Sequence, residues 1–207
     1  MRPRSWARFC TALGEHATFL RALARSPRTV GALCPSSRAL ARAMVSGLNL
    51  CEAGLVVELG PGTGAFTQAI AEGLGPGTEF LALELDEGAV RHLGRRFPKL
   101  RVVHDSAENL GHHVRTLGRR QADYVVSGLP WAIFPEDLQA RIMQEVTRAL
   151  APGGRFVTFA YLHARRTSAA RRFWRLLHEQ FAGVELSKPV WANLPPAVVY
   201  RAWKPAG

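Results

Sequence analysis

The sequence predicts an α/β fold with a doubly wound, mostly parallel sheet of seven strands that ends in an antiparallel hairpin. The 207 residues are 47% hydrophobic and 21% charged, which is typical of a globular protein. From residue 55 onward, short apolar runs alternate with segments of helical periodicity, and this alternation requires parallel strands joined by right-handed crossovers. The last two apolar runs are joined only by residues 192–197, a connection too short for a crossover, so we expect them to pair antiparallel at one edge.

Glycine and proline clusters, such as Gly75-Pro76-Gly77 and Pro152-Gly153-Gly154, separate these elements. The predicted strands are Leu55–Leu59, Glu79–Leu85, Arg101–His104, Ala122–Ser127, Arg155–Tyr161, Val184–Trp191 and Val198–Trp203. The predicted helices between them are Ala65–Leu74, Glu87–Arg96, Ala107–Leu117, Pro135–Leu150 and Ser168–Phe181.

The first 50 residues are expected to form an N-terminal helical extension, a lid and membrane contact, ahead of a domain spanning residues 51–207. Between Trp6 and Leu23, apolar residues recur at helical spacing and arginines fall on the other side, as in a helix that binds a membrane interface. Packing of that apolar face on the sheet is the alternative. A second helix is expected to begin at Pro35-Ser36-Ser37, where a serine oxygen can cap it, and to end near Gly47.

The formal charge of +11 is unevenly distributed along the chain. Residues 1–43 carry +7, residues 44–158 carry −2 and residues 159–207 carry +6. A near-neutral body between two basic ends favours contact with a polyanion. A general preference for arginine codons in the genome is the alternative.

Two protein classes are disfavoured by composition. No run of about 18 apolar residues occurs, so a transmembrane helix is excluded. Cys10, Cys34 and Cys51 form no CxxC pair, so neither a disulfide framework nor a metal site is expected, and a reducing cytoplasm is the predicted location.

A glycine-rich turn follows the first predicted strand, in the segment Glu58-Leu59-Gly60-Pro61-Gly62-Thr63-Gly64. Its glycines allow the backbone to approach a ligand closely at the start of a helix. A second acid, Glu84, ends the next strand, where ribose hydroxyls are expected. Spacing alone leaves NAD and S-adenosylmethionine both open.

The residues of this turn resemble motif I of the S-adenosylmethionine-dependent methyltransferases, and Leu83-Glu84-Leu85-Asp86 resembles their motif II. The resemblance implies a single Rossmann-like domain of the class I methyltransferase type, with S-adenosylmethionine as cofactor and S-adenosylhomocysteine as product. It places Glu84 at the ribose, the glycines along the amino-acid end and Asp105-Ser106-Ala107 near the adenine, although Asp105 could instead cap a loop. The predicted cofactor-binding residues are Glu58, Gly60, Pro61, Gly62, Gly64, Glu84, Leu85, Asp105, Ser106, Ala107 and Ser127.

The segment Ser127-Gly128-Leu129-Pro130-Trp131 follows the fourth strand, where amino-methylating members of the family carry Asn-Pro-Pro-Tyr or Asn-Leu-Pro-Tyr. Methyl transfer is an in-line displacement, so catalysis depends mostly on positioning a neutral amine. Backbone carbonyls can hold the amine's hydrogens, and the Trp131 ring can attract the charge that develops on nitrogen. The predicted catalytic residues are therefore Gly128, Leu129, Pro130 and Trp131, with an ordinary buried tryptophan as the alternative for Trp131.

The chain as a whole resembles the bacterial phospholipid N-methyltransferases, which convert phosphatidylethanolamine to its methylated forms and are related to the ribosomal RNA adenine dimethylases. The matching segments outside the cofactor motifs are Ser26–Ala32, Pro35–Ser37, Ser127–Pro130, Pro152–Val157 and Asn193–Arg201. The resemblance implies methyl transfer to the amine of phosphatidylethanolamine or a related aminolipid. We expect a monomer without metal that binds the inner face of the cell membrane peripherally.

A lipid headgroup needs an aromatic face for its amine and a donor for its phosphate. Tyr161, at the end of the fifth strand, is the candidate near the amine. Tyr200 and Arg201, in the closing strand beside Asn193, are the candidates for the phosphate, and Asn193 is also a predicted substrate-binding residue. The N-terminal arginines and the arginines between residues 165 and 175 are expected to meet an anionic membrane.

Two rival functions remain open at this point. An RNA adenine methyltransferase fits the net charge equally well, but Gly128 stands where that family has a base-holding asparagine, so nucleic acid is the less favoured partner. A non-catalytic membrane-surface protein that keeps a cofactor fold is the other.

Overall fold

The computed structural model divides the chain into a unit of Met1–Leu33 and a unit of Cys34–Gly207, and it describes residues 36–207. The predicted first helix around Trp6 and Phe9 therefore lies outside the described residues. Within residues 36–207, no helix has the length and apolar character needed to cross a membrane.

Seven strands form one sheet in the order β3-β2-β1-β4-β5-β7-β6. They are β1 (Leu55–Leu59), β2 (Glu79–Glu84), β3 (Arg101–His104), β4 (Ala122–Ser127), β5 (Leu150–Tyr161), β6 (Gly183–Leu186) and β7 (Ala197–Trp203). Strands β1 to β5 are parallel, and β7 is antiparallel to both β5 and β6. The predicted mostly parallel seven-stranded sheet with a C-terminal antiparallel pair is confirmed.

The described region has six α-helices, of which the first precedes β1 and the other five lie between strands. They are α1 (Arg38–Val45), α2 (Ala65–Gly73), α3 (Glu87–Arg96), α4 (Leu110–Thr116), α5 (Glu136–Ala149) and α6 (Ser168–Gln180). Helix α1 begins where the serine pair predicts, because the Ser37 hydroxyl accepts a hydrogen bond from the amide of Leu40. It ends just before Gly47, whose φ of 77° lies in the left-handed region.

Alternate residues of the strands face two separate helical layers. On one face, Leu40 and Met44 of α1 and Phe66 and Ile70 of α2 pack against strand residues such as Val126. On the other face, helices α4, α5 and α6 are neighbours. Because helix α1 packs into the sheet's own core, residues 38–45 are part of the domain's packing.

Three elements differ by three or more residues from their predicted bounds. The strand predicted at Val184–Trp191 ends at Leu186, so Trp191 lies in the loop that follows it. The predicted helix Ala107–Leu117 is a 3₁₀ turn at Ala107–Asn109 followed by α4. Strand β5 begins at Leu150, which pairs with Ala122, and its register with β4 then shifts before Arg155. The intervening Pro-Gly-Gly is an irregularity inside a long strand and not the end of the preceding loop.

Candidate active site

The carboxyl ends of the five parallel strands lie side by side and carry most of the predicted site residues. Glu84 and Tyr161 are the last residues of β2 and β5, and the residues directly after β3, β1 and β4 are Asp105, Gly60 and Gly128. In sheets of this kind, ligands bind outside the carboxyl ends, near the point where strand order reverses between β1 and β4.

The turn after β1 is shaped by glycines in left-handed conformations. Gly60 has φ 67° and its amide donates to the carbonyl oxygen of Leu83 at 2.9 Å. Gly64 has φ 83° and caps the start of α2, while buried Pro61 accepts a hydrogen bond from the Gly64 amide at 2.9 Å. Any residue other than glycine would be strained in this conformation. Because glycine has no side chain, a ligand can approach the backbone closely at the start of α2.

Glu84, at the end of β2, holds this turn and the following loop together. One carboxylate oxygen accepts from the Gly62 amide at 2.9 Å and the other from the Asp86 amide at 2.9 Å. Glu84 is only 8% exposed. The carbonyl oxygen of Leu85, the next residue, lies 3.0 Å from Nε2 of His104 and accepts a hydrogen bond when that nitrogen carries the proton. The second acid of the sequence motif therefore touches the glycine turn directly.

Glu58 is completely buried beneath the same turn. Its Oε2 accepts a hydrogen bond from the Thr67 hydroxyl at 2.7 Å, whereas its Oε1, among the described residues, has no hydrogen-bond partner. Burial, together with the nearby charge of Glu84, raises the pKa of Glu58 to about 8. The hydrogen bond from Thr67 lowers this pKa, but by less than burial raises it. The carboxyl group is therefore mostly protonated at neutral pH in the folded protein.

Asp105 follows β3 and organises its own loop. Its carboxylate accepts hydrogen bonds from the Ser106 amide at 2.7 Å and the Asn109 side chain at 2.8 Å, and it lies 2.7 Å from the His113 Nε2. Burial alone would raise the pKa of Asp105, but these hydrogen bonds together hold it below its usual value. The contacts of Asp105 are those of the loop-capping alternative. Ser106 caps the adjoining 3₁₀ turn, which begins at buried Ala107.

Sequence reasoning missed two partners of these acids, Thr67 and His113. Thr67 lies on the first turn of α2, and a threonine at that point of a helix carries no distinctive signal. His113 reaches Asp105 only because a 3₁₀ turn and α4 fold back over the end of β3, which no simple spacing rule predicts.

The segment after β4 approaches the glycine turn closely. A Cβ added to Gly128 would lie 2.5 Å from the Gly60 carbonyl oxygen, and one added to Gly60 would lie 2.7 Å from the Leu129 side chain. Only glycine at position 128 lets the two backbones meet. Leu129 and Pro130 are both partly buried beside this contact.

The Trp131 ring is a core side chain, so the predicted role of its face toward an amine is wrong. The residue is 2% exposed, and its ring stacks on Phe173 at a centroid distance of 4.6 Å. Its indole N–H donates to the Ser127 hydroxyl at 3.0 Å, and Ser127 is itself fully buried. Because Phe134 and Phe156 also surround the ring, its π faces are covered by protein.

On the other face of the sheet, a row of aromatic side chains in contact with one another extends to the end of β5. Phe66 meets Phe159 edge-on at 5.5 Å, and Phe159 meets Tyr161 edge-on at 5.4 Å. The Tyr161 ring stacks on His163 at 5.7 Å. Tyr161 and Phe159 are both partly buried, so Phe159 is an aromatic candidate that sequence reasoning missed.

The predicted phosphate residues Tyr200 and Arg201 and the predicted substrate-binding residue Asn193 do not converge. Tyr200 and Arg201 are consecutive in β7 and so point to opposite faces of the sheet. Tyr200 is buried against Trp174 of α6, while the Arg201 guanidinium donates to the Ala43 carbonyl oxygen of α1 at 2.7 Å. Asn193 is 2% exposed and is bonded to the Ser37 amide and the Pro195 carbonyl oxygen. In this structure these side chains hold elements of the fold together and are not brought to one phosphate site.

Comparison with known proteins identifies the family. A model described as a methyltransferase domain matches residues 56–154, which run from β1 to the Pro-Gly-Gly of β5. An ornithine lipid N-methyltransferase from Singulisphaera acidiphila is 34% identical over 185 residues, covering 88% of this chain and 92% of that protein. This chain belongs to the class I S-adenosylmethionine-dependent methyltransferases.

Solved structures agree with this fold. An O-methyltransferase from Thermotoga maritima matches the methyltransferase with a TM-score of 0.64 at 17% identity, covering 89% of this chain and 72% of that one. The N-methyltransferase NodS from Bradyrhizobium japonicum, in complex with S-adenosylhomocysteine, matches with a TM-score of 0.60 at 16% identity, covering 81% and 84%.

The carboxyl edge of the methyltransferase fits its cofactor. A buried carboxyl oxygen of Glu58 lacks a partner among the described residues, and the space beside Gly62 is open to 4 Å. We propose that Glu84, the turn from Gly60 to Gly64 and the loop at Asp105 hold S-adenosylmethionine. When bound, this cofactor supplies an electrophilic methyl group. No group of three or more metal-ligating side chains occurs within residues 36–207.

Replacing Gly128 with alanine tests the contact between the two loops. We expect at least about a fivefold loss of S-adenosylhomocysteine affinity, since overpacking of this kind costs ~1–3 kcal/mol and displaces the turn after β1. Isothermal titration calorimetry measures the affinity, and a thermal melt checks that the variant folds. Gly77→Ala is the matched control, because its added Cβ would meet no atom within 4 Å. Equal affinities of Gly128→Ala and wild type would contradict the proposed cofactor site.

Proposed function

We propose that this methyltransferase transfers methyl groups from S-adenosylmethionine to the amine of an aminolipid. An ornithine lipid is the first acceptor to test and phosphatidylethanolamine the second. The observation that carries the proposal is the 34% identity to an ornithine lipid N-methyltransferase across 88% of this chain. That match reaches well beyond residues 56–154, so it includes parts of the chain outside the general methyltransferase domain.

The arrangement of the carboxyl edge supports an amine acceptor. Methyl transfer to nitrogen needs a neutral amine held in line with the methyl group, and it needs a surface that tolerates the positive charge formed on nitrogen. Phe159 and Tyr161 place partly buried aromatic rings at the end of β5, two strands from the glycine turn. We assign to them the role of attracting the positive charge that develops on the amine nitrogen, which the buried Trp131 ring cannot perform.

The charge of the C-terminal part supports an anionic lipid environment. Residues 159–207 carry +6, and exposed arginines at 165, 166, 171 and 175 lie just after β5. Both proposed headgroups pair an amine with an anion, a carboxylate in ornithine and a phosphate in phosphatidylethanolamine. Each basic residue near an anionic leaflet contributes on the order of 1 kcal/mol to binding.

The test is methyl transfer from radiolabelled S-adenosylmethionine to three acceptors assayed side by side. The acceptors are an ornithine lipid, phosphatidylethanolamine, both in mixed micelles, and ribosomal RNA. We expect label in the ornithine lipid, with weaker or no label in phosphatidylethanolamine and none in RNA. The Glu84→Ala variant serves as the control for enzyme-dependent label. Label in RNA alone, or cofactor binding without transfer to any acceptor, would overturn the proposal.

A further inference from the structure

The loop between β6 and β7, residues 187–196, carries the two most exposed large apolar side chains of the described region. Trp191 is 72% exposed and Leu194 is 76% exposed. Side chains of this size are seldom left so exposed in close neighbourhood unless the surface meets another apolar phase. The loop is therefore a candidate docking surface.

Hydrogen bonds hold the loop in a defined shape. Val190 and Ala197 bond to each other's backbone, with the Val190 amide donating at 2.7 Å. Between the two apolar residues, buried Asn193 accepts from the Ser37 amide at 2.9 Å and donates to the Pro195 carbonyl oxygen at 2.7 Å. The inward-facing asparagine thus fixes the loop while its neighbours on either side face solvent.

The loop adjoins the candidate acceptor site. Ala197, at its end, is paired with Tyr161 at the carboxyl end of β5, and the Leu162 amide donates to the Pro196 carbonyl oxygen at 2.9 Å. In contrast, exposed Trp203 pairs with Arg155, at the opposite edge of the sheet. Trp191 and Leu194 therefore extend from the same edge as the proposed methyl-transfer site.

Basic residues lie in the loop that carries the apolar tip, Trp191 and Leu194, and on the turn that is hydrogen-bonded to this loop through Leu162 and Pro196. Arg165 and Arg166 lie on the 3₁₀ turn Leu162–Arg166 that follows β5, and Lys188 lies in the loop itself. All three are exposed, and within the described part of the chain none of them forms an ion pair. Residues 187–196 contain no acid. An apolar tip with a basic rim complements an anionic lipid bilayer, where aromatic rings sit at the headgroup level and cations meet phosphates.

We propose that Trp191 and Leu194 insert into the interface of an anionic membrane, while Arg165, Arg166 and Lys188 contact its headgroups. This docking turns the carboxyl edge of the sheet toward the bilayer, so that a lipid amine can reach the end of β5. The inference rests on the proposed function for its purpose, but membrane binding by the loop is measurable without any methyl transfer.

Vesicle binding of the full chain tests the proposal. Sucrose-loaded vesicles of phosphatidylcholine with phosphatidylglycerol are sedimented with wild type and with the Trp191→Ser/Leu194→Ser double variant, in the absence of cofactor. We expect the partition coefficient of the variant to fall about tenfold or more, because it loses two interfacial apolar groups. Both changes are at exposed positions, so the thermal melt should stay as in wild type. Equal binding of the two proteins would overturn the proposal.

Quenching by brominated lipid locates the inserted side chain. Tryptophan emission of the Trp6→Phe protein, which lacks the other tryptophan expected at a membrane, should be quenched by the vesicles. In that background Trp191→Phe should lose most of the quenching, and the matched Trp203→Phe variant should retain it. Quenching unaffected by Trp191→Phe would contradict insertion of this loop. Self-association without vesicles that the double variant abolishes would likewise overturn it, since the tip would then be a protein contact.

Methyl-transfer assays distinguish membrane docking by this loop from the proposed aminolipid methyltransferase function. In detergent micelles the double variant should methylate the lipid at the wild-type kcat, and with vesicle-borne lipid its apparent KM should rise several-fold. Vesicle binding through the loop without methylation of either lipid would overturn the proposed function alone.

Discussion

Replacing Glu84 with alanine is expected to weaken S-adenosylmethionine binding at least about tenfold, because hydrogen bonds to a charged group contribute ~1.5–3 kcal/mol each. The carboxylate accepts from the Gly62 and Asp86 amides, so its loss removes the support of the glycine turn as well as the proposed contact with the ribose. Isothermal titration calorimetry with S-adenosylhomocysteine measures the effect on the folded variant.

The control for this experiment is Glu87→Ala. Glu87 is a nearby acid, but it is exposed and paired with Arg91 on the surface of α3, so its removal should leave affinity unchanged. A Glu84→Ala variant that binds as tightly as wild type would mean that the second acid of the motif has been misassigned.

Glu58→Gln is expected to remove a pH dependence of stability. In the folded protein the pKa of Glu58 is raised from 4.5 to about 8, chiefly by burial, so the folded state retains a proton that the unfolded chain loses. The stability due to this proton is fully present below pH 4.5 and is lost as pH rises to about 8. Since each pKa unit is worth ~1.4 kcal/mol, the loss is on the order of a few kcal/mol.

Urea unfolding at several pH values between 5 and 8 measures this effect. The free energy of unfolding of Glu58→Gln, taken relative to wild type, should increase steadily with pH, because the amide does not ionise. Glu72→Gln, an exposed change on the neighbouring helix, should show no such trend. Parallel pH profiles for Glu58→Gln and wild type would show that the buried carboxyl does not titrate as described.

Much of the fold could be predicted because its signals are local. Apolar runs separated by glycine and proline gave the strands, and the short connection before Ala197 gave the antiparallel pair. The helix predicted from Ala107 was wrong at its start because Asp105, Ser106 and Asn109 bond to nearby backbone and side-chain groups, which competes with helix formation.

The candidate site was less predictable because several roles depend on the face of the sheet to which a side chain points. Trp131 follows β4 at the expected place, yet its ring is covered by Phe173 from a distant helix. Arg201 lies near the end of the chain, but its partner carbonyl belongs to α1. Such long-range contacts leave no pattern in the sequence, whereas the glycine turn and Glu84 are recognisable from spacing alone.

The most direct test of the account is a crystal structure of the enzyme with S-adenosylhomocysteine. We predict that the ribose hydroxyls hydrogen-bond to Glu84, that the amino-acid end lies along Gly60 to Gly64, and that the sulfur faces the space between Gly128 and Tyr161. A ligand bound away from the carboxyl ends of β1 and β2, or one that leaves Glu84 without contact, would contradict the account.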